Sequence, residues 1–405
     1  MLKAGAFIYA LFVMFIVSML TLLFLTLTRL YSNEISGMQM QERLDENALS
    51  GIQYALGTAS GVWQDAQQLD LFDLGKDLVH IQKKKWGFMD VVTAKASHKN
   101  RFSIRSALVG YQVPDSLKIS LYLANNQAAL HLSGETRIIG NAYLPQSGVK
   151  RAYIAGTSYF GDRLIYGEQF LSEKQLPIFF DTLGLSLLAN SALKQFDLPK
   201  RHHQTFLDST LLISAENVVH LKDLSLKGNI VIQSDTLVEI YPSALLEDVI
   251  VMAPIIKVRT GSRFSAQLLA KDSLIVEENC FLEYPSLLVV NTLHDGFVQI
   301  GSNATIYGDV WFKSTKPPGN LKRSVLIEKD AEVVGRLLVE HGNLQLNGSV
   351  KGVLYTTGFI LKHPVGTYKN HLLDARIDRS SLWSDYLFVA KVVEHDKPNI
   401  LKWLH

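Results

Sequence analysis

The chain begins with a long uninterrupted run of apolar residues. From Ala4 to Thr28 the run contains no charged residue, and Lys3 and Arg29 bound it. A helix of about 25 residues spans roughly 37 Å, which exceeds the ~30 Å hydrocarbon core of a bilayer. The run is too long for the core of a cleaved secretory signal, and no small-residue cleavage site follows it. We therefore predict a transmembrane anchor over residues 1–30.

A second, less apolar segment follows the anchor. Between Glu34 and Ala59 apolar residues recur at roughly helical spacing, with charged residues between them. A helix with one apolar stripe must cover that stripe with its own domain or with a neighbouring protein. We therefore predict an amphipathic stalk over residues 31–60, whose candidate partner-contact residues are Ile35, Met38, Leu49, Ile52 and Leu56.

The length of chain on each side of the anchor predicts its orientation. Only a short tail precedes the apolar run, whereas almost the whole chain follows it. Large domains are translocated largely regardless of their charge. We expect a single-pass protein of the inner membrane, with its N-terminus in the cytoplasm and its body in the periplasm or outside the cell.

Residues 61–127 predict a small α/β neck. Two β-rich runs, Phe88–Val92 and Phe102–Val109, flank the polar turn Ser97–Asn100, which is typical of a hairpin. Residues Lys118–Leu123 alternate between polar and apolar side chains and predict a further strand.

Short apolar runs separated by Gly, Asn, Asp or Ser dominate the rest of the chain. Strands so short and so closely spaced leave no room for crossover helices. Stacked turns solve this problem because each strand pairs in parallel with its equivalent one turn away. A β-sandwich stays open as the alternative, although it favours longer strands joined by hairpins. We predict an irregular right-handed parallel β-helix, with first turns over 128–170 and a body over 210–361.

Two segments interrupt or end this pattern. Residues 171–209 predict a helical insertion, with helical stretches around Leu183–Phe196. Residues 362–405 predict a C-terminal cap, because the last turn of a β-helix exposes an unpaired edge. The expected fold class is mainly β with an N-terminal α-helix.

Composition excludes some partner classes. The net charge is only +2, and phosphate recognition needs a concentrated basic surface, so we expect no nucleic-acid partner. The single cysteine, Cys280, cannot form an intramolecular disulfide. The 12 histidines show no metal-ligand spacing. We expect no cofactor and no metal.

Catalysis is the remaining functional class to test, because parallel β-helices also host enzymes that act on glycans. No nucleophile elbow, phosphate-binding loop or dinucleotide-binding motif occurs. The candidate carboxylates are scattered over different predicted turns, and solvated corners explain them better. They are Asp248, Asp272, Glu277, Glu278 and Glu283. We predict a non-enzymatic protein without catalytic residues.

Two resemblances add to this interpretation. The anchor together with Arg43–Leu56 (RLDENALSGIQYAL) resembles the N-terminal stalk of minor pilin-like proteins of type IV filament and type II secretion systems, of the pilus-assembly X and secretion K type. The segments Gly301–Val310 and Asn343–Tyr355 resemble the irregular β-helix of bactofilins, with Gly at the corners. Both resemblances imply a bacterial envelope protein.

These observations predict a structural or assembly component of a pilus-like or pseudopilus-like secretion or adhesion apparatus. Its expected partners are the lipid bilayer and other pilin-like or envelope-apparatus proteins, with self-association left open. One alternative is a bactofilin-like scaffold that polymerises. The other is a β-helical lyase or hydrolase acting on surface glycans.

Overall fold

The chain folds as one long helix followed by a β-solenoid. The computed structural model describes residues 4–58, 67–70, 78–113, 119–154, 156–177, 193–195, 199–293, 295–316, 319, 322–392 and 396–404. The fold is mainly β, and its solenoid has about 11 turns, which confirms the predicted class. The right-handed sense of the coil stays a prediction. Contacts divide the chain into a first unit, Met1–Lys83 with Val92–Ser106, and a second unit, Lys84–Val91 with Ala107–His405.

The first unit is organised by helix α1, Ala4–Gly57. At 1.5 Å per residue its 54 residues extend about 81 Å, so anchor and stalk form one uninterrupted rod. Four strands follow: β1 (Gln67–Leu69), β2 (Leu78–Trp86), β3 (Met89–His98) and β4 (Arg101–Gln112). Residues 84–86 of β2, 89–91 of β3 and 107–112 of β4 belong to the second unit. The turn Lys99–Asn100 joins β3 to β4, and Lys99 adopts a φ of 51°. The predicted hairpin is therefore confirmed.

The second unit contains the remaining strands. They are β5 (Ile119–Leu123), β6 (Leu130–Ser133), β7 (Arg137–Ile139), β8 (Asn141–Leu144), β9 (Val149–Arg151), β10 (Gln169–Leu171), β11 (Leu193–Gln195), β12 (Arg201–Gln204), β13 (Leu211–Ala215), β14 (Val219–Leu221), β15 (Leu224–Gly228), β16 (Ile230–Ser234), β17 (Leu237–Ile240), β18 (Ala244–Glu247), β19 (Val249–Val258), β20 (Arg263–Phe264), β21 (Ala266–Val276), β22 (Phe281–Thr292), β23 (Phe297–Ile300), β24 (Thr305–Ser314), β25 (Val325–Ile327), β26 (Glu332–Glu340), β27 (Leu344–Leu346), β28 (Ser349–Thr356), β29 (Ile360–His363), β30 (Gly366–Lys369), β31 (His371–Leu373), β32 (Arg376–Asp378) and β33 (Lys397–Leu404). A 3₁₀ turn, Arg379–Ser381, follows β32.

Successive turns of the coil stack in parallel and in register. Along one face, Leu268 of β21 lies beside Leu288 of β22, which lies beside Val310 of β24. The same column continues through Leu337 of β26 to Leu354 of β28. Parallel strands lie about 4.8 Å apart, so about 11 turns make a coil roughly 53 Å long. The parallel pairing rules out the β-sandwich alternative.

The stacking order of the turns differs from their order in the sequence. Strand β5 pairs with β28, with Leu121 beside Leu354, and β8 and β10 stack beyond β5. Strand β32 lies between β28 and β7, and β31 pairs with β6. One turn of the coil is therefore built partly from strands near the start of the second unit and partly from strands near its end. The expected first turns, residues 128–170, extend the coil beyond its last body turn instead of leading into its first.

The expected helical insertion lies largely outside the described residues. Of the stretch around 183–196, the structure describes only Leu193–Gln195, which is the strand β11 and pairs with β13. Strand β12 lies within the predicted bounds 171–209, and β10 ends at their first residue, Leu171. Helical periodicity was misleading at Leu193–Gln195 because these residues take their place in the coil through backbone pairing.

The C-terminal segment 362–405 differs from the expected cap. Strands β29 and β30 form an antiparallel hairpin, and β31 and β32 belong to the coil itself. The residues after the 3₁₀ turn then lie along one side of the coil. The Tyr386 hydroxyl donates to the Val334 carbonyl at 2.8 Å, and Lys402 Nζ lies 2.7 Å from Asp248 Oδ2. We call this segment, residues 382–392 and 396–404, the C-terminal strap.

The strap explains the continuous apolar runs in the sequence. The face of the coil that carries Leu288, Val310 and Leu337 is buried on its inner side by the aliphatic core. Its outer side forms a second apolar cluster with the strap, in which Trp311 and Phe388 are fully buried. Strands buried on both sides need apolar residues at every position. We call this the covered face.

Glycines at one corner allow the turns to approach each other closely. Gly308, Gly335 and Gly352 stack in register, with φ of 143°, 144° and 148°. A Cβ on Gly335 would lie 2.0 Å from the Gly308 carbonyl oxygen. The predicted role of Gly at the corners is therefore confirmed at this column.

We expect Gly335→Ala to lower the free energy of unfolding by roughly 2–5 kcal/mol, because the methyl group meets backbone and the φ is unfavourable for any other residue. The matched control is Gly261→Ala, where φ is 76° and no atom lies within 4 Å of an added Cβ. Only backbone strain applies there, so we expect a loss of about 1–2 kcal/mol. Urea unfolding measures both, and equal losses would contradict the proposed corner contact.

Candidate functional site

No described part of the chain covers the apolar half of α1. Every residue from Gly5 to Ser36 is exposed, and one window has a mean hydropathy of 2.6. Hydroxyl groups in this half bond back to helix carbonyls: Ser18 to Phe15 at 2.8 Å, Thr21 to Ser18 at 2.8 Å, Thr26 to Leu23 at 2.7 Å and Thr28 to Phe24 at 2.8 Å. These groups need no water, which suits an apolar environment. The helix is consistent with a membrane anchor or a signal.

The C-terminal half of α1 packs on the sheet of the first unit. Leu44, Ala48, Ile52 and Ala55 are at most 1% exposed and lie on one helical stripe. Gly51 lies in the same stripe, where an added Cβ would be 2.8 Å from Val79 Cγ1 and 3.0 Å from Ala94 Cβ. Small residues therefore let the helix approach the strands closely.

Polar contacts fix the same half of the helix. Arg101 Nη1 donates to the Gly37 carbonyl at 2.7 Å. The Ser103 hydroxyl donates to the Asp45 carboxylate, and Arg105 Nη2 lies 3.6 Å from the other Asp45 oxygen. These bonds begin near Gly37, so the helix changes there from a free rod to a packed element.

The five predicted partner-contact residues do not share one environment. Ile35, Met38 and Leu49 are 46%, 72% and 38% exposed, and they lie about 100–160° around the helix from the centre of the buried stripe. Leu56 is half-buried, whereas Ile52 is fully buried in the first unit. Ile52 therefore belongs to the chain's own core in this conformation. Counting only large apolar residues missed the stripe because Ala48, Gly51 and Ala55 define it.

The candidate carboxylates of the coil do not converge on one site. Three of them pair with basic residues: Glu277 with Arg259 at 2.7 Å, Glu283 with Arg263 at 2.6 Å and Asp248 with Lys402 at 2.7 Å. Asp272 and Glu278 are exposed. Among the described residues, no group of three or more His, Cys, Asp or Glu side chains is arranged to hold a metal ion.

A buried charge cluster that the sequence analysis missed lies between the covered face and the strap. Arg336 is fully buried, with its guanidinium carbon 4.3 Å from the centre of the Phe388 ring. Arg336 donates to the Ala390 carbonyl at 3.3 Å and to the Asp396 carboxylate at 3.4 Å. Asp309 lies beside Arg336 in register on the previous turn. One guanidinium and two carboxylates thus lie together away from water, and of the two carboxylates only Asp396 is hydrogen-bonded to Arg336.

The electrostatics of this cluster favour a neutral Asp309. Burial raises the pKa of Asp309 to about 7, because the attraction of Arg336 does not offset the desolvation and the repulsion from Asp396. Among the described residues, neither oxygen of the Asp309 carboxylate accepts a hydrogen bond. Holding Asp309 in its acid form leaves one cation and one anion, so the charges balance. The cluster has the character of a structural clamp on the strap.

Comparisons with known proteins give little further support. No protein-family model matches the sequence, and no curated protein matches it. Among solved structures, the competence-associated pilin ComZ from Thermus thermophilus is similar to this chain with 10% sequence identity, over 86% of this chain and 90% of that chain. The TM-score is 0.23, so the similarity is weak and establishes neither a shared fold nor a family.

We expect Asp309→Asn to stabilise the protein by about 2–4 kcal/mol more at pH 8 than at pH 5. The folded-state pKa of Asp309 is raised from 3.8 to about 7, so the native protein loses stability as the pH rises across that range. The asparagine keeps the shape and removes this loss. Urea unfolding at both pH values measures it.

Asp330→Asn is the matched control, because Asp330 is exposed in a turn. It should leave the free energy of unfolding nearly unchanged at both pH values. A stability difference for Asp309→Asn that does not vary with pH would contradict a protonated Asp309.

Proposed function

We propose that this chain is a non-enzymatic, single-pass envelope protein that serves as a structural or assembly component of a pilus-like or pseudopilus-like secretion or adhesion apparatus. One observation carries the proposal. A single 54-residue helix leaves its apolar first half fully exposed, while its second half packs on a small sheet. A soluble protein would not leave so long an apolar rod uncovered.

The bilayer is the first partner that this helix suits. The apolar run is long enough to cross with some tilt, and charged residues bound it in the sequence at Lys3 and Arg29. With the N-terminus in the cytoplasm, the solenoid would lie in the periplasm or outside the cell. Similar subunits are the second partner, because the same apolar surface can pack against copies of itself.

The exposed residues on the stalk extend this surface beyond the anchor. Ile35, Met38 and Leu49 face away from the sheet, so the chain itself does not cover them. They would contact neighbouring pilin-like subunits side by side. The solenoid would then act as a rigid body carried by the helix, for spacing or recognition. Ion-paired carboxylates such as Glu277 and Glu283 support a structural role over catalysis.

A polymer-forming scaffold is a second candidate, and one observation favours it. An aromatic ladder runs along the covered face through Tyr355, Tyr122 and Tyr143 and ends at Phe170 of β10, with a last ring spacing of 5.0 Å. Phe170 is 39% exposed and Leu171 is 73% exposed. Within the described residues, β10 ends the stack of β5, β8 and β10, and a strand that ends a stack with exposed apolar residues is a surface on which another strand can add.

We expect single cysteines at Met38 and Leu49 to form crosslinks to neighbouring subunits in cells, because both side chains lie on the exposed apolar side of the stalk. Each variant would be tagged at the C-terminus, oxidised in intact cells and examined on non-reducing gels, with mass spectrometry of each crosslinked band. The native Cys280 is 1% exposed and should give little background.

Ser36→Cys is the matched control, since Ser36 is exposed about 140–160° around the same helix from Met38 and Leu49. It should crosslink much less than Met38→Cys. Equal crosslinking of both, or no crosslinking of Met38→Cys in cells that express the apparatus, would contradict lateral packing through this surface.

The scaffold candidate makes a separate prediction. If the chain associates through β10, Phe170→Asp should abolish oligomers of the detergent-solubilised chain, because it places a charge at the end of the ladder. Light scattering after size-exclusion chromatography measures the mass. The control is Leu245→Asp, at a residue 61% exposed on β18. Oligomers that persist in Phe170→Asp would count against the scaffold.

A further inference from the structure

The joint between the two ends of the coil carries a pair of stacked histidines. Strand β31 pairs in parallel with β6, and His371 lies directly beside His131. The two ring centres are 4.4 Å apart, and the ring planes differ by 7°. Both side chains are half-buried. The imidazoles therefore stack face to face across the joint.

The groups around this pair are basic or neutral. On the far side of β6, Lys150 of β9 lies in register with His131, and Arg151 follows it. The hairpin beside β31 carries Lys362 and His363 on β29, and Tyr368 and Lys369 on β30. The Tyr368 ring is 5.4 Å from His371, and the Lys369 carbonyl lies 2.7 Å from His371 Nδ1.

Carboxylates do not offset this charge. The nearest in sequence are Asp374 and Glu135, which follow the two strands, and Asp374 Oδ1 accepts the backbone N–H of Glu135 at 2.9 Å. No ion pair joins a carboxylate to either imidazole among the described residues. A proton added to His371 therefore meets the neighbouring His131 ring without an ion-paired carboxylate to offset it.

Protonation changes the interaction between the two rings from attraction to repulsion. Neutral imidazoles attract each other when stacked, whereas two imidazolium rings at this distance repel. Burial lowers the pKa of His371, and the neighbouring His131 lowers it further against the opposing effect of the Lys369 carbonyl. The folded state favours the neutral form of a base whose pKa is lowered by folding. The protein therefore keeps its full stability above the ordinary pKa of that base and loses stability as the pH falls from the ordinary pKa towards the lowered one.

This joint differs from the others in the coil. Neighbouring turns of the body are connected directly through the chain, so they cannot separate far without unwinding. Strands β6 and β31 are distant in the sequence, and only backbone pairing and side-chain packing hold them together. The joint is therefore a place where the coil can open between two intact sets of turns.

We propose that His131 and His371 form a pH-sensitive latch, which holds the N-terminal turns, β5 to β10, on the end of the coil at neutral pH and loosens them in acid. Opening would expose the edges of β6 and β31 as unpaired strands. Leu132 and Leu372, which lie beside each other and are at most 1% exposed, would then meet water.

The test is hydrogen exchange of the full chain in detergent at pH 7.5 and pH 5.5, after correction for intrinsic exchange rates. Protection of peptides covering 130–133 and 371–373 should fall about tenfold at the lower pH, as expected for a like-charge contact near the surface. Peptides covering 287–290 in the central turns should stay protected. Unchanged protection at the joint would overturn the proposal.

Variants separate the latch from general acid sensitivity. The double variant His131→Gln/His371→Gln should keep the joint protected at both pH values. His220→Gln is the control, since the His220 imidazole faces Glu239 at 3.0 Å, and it should retain the native fall in protection. His131→Lys should loosen the joint at pH 7.5. Persistence of the fall in the double variant, or full protection in His131→Lys, would overturn the proposal.

Discussion

The parallel backbone ladder between successive turns is the constraint on which the rest of the second unit depends. Each turn takes its register from the one before, so that Gly308, Gly335 and Gly352 form one column and Tyr355, Tyr122 and Tyr143 another. Like residues stack on like, and the character of a face changes only gradually along the coil. The corner glycines, the aromatic ladder and the stacked histidines all follow from this rule.

Because the covered face is buried on both sides, a polar group on it must find its partners without water. Where Arg336 enters that face, its charge has to be balanced without water, and the Asp396 carboxylate and the face of the Phe388 ring do so. The same guanidinium bonds the Ala390 carbonyl, which fastens the strap. A charge that would be unfavourable alone thus becomes the point at which the strap is attached.

The sequence allowed the class of the fold to be predicted, because short apolar runs with Gly at the corners suit few structures besides a coil. It did not reveal that β5 stacks on β28, since the side chains of either strand would fit against many others. On the helix, the choice of Ile52 as a partner residue failed to account for Ala48, Gly51 and Ala55. Small residues carry little hydrophobic signal, yet they determine which side can approach a sheet. The Asp309–Arg336 pair left no sequence signal, because neither its burial nor its register can be read from spacing.

The shared turn has a consequence for how the protein is made. Leu121 and Leu354 are neighbours in the coil but lie about 230 residues apart in the chain, and closing a loop of that length is slow. The N-terminal turns emerge first during synthesis, yet the edge on which they stack is completed last. They must wait, with an apolar side uncovered, until the final strands arrive. Biogenesis of this protein therefore depends on its C-terminus, and a truncated chain would release both ends of the coil at once.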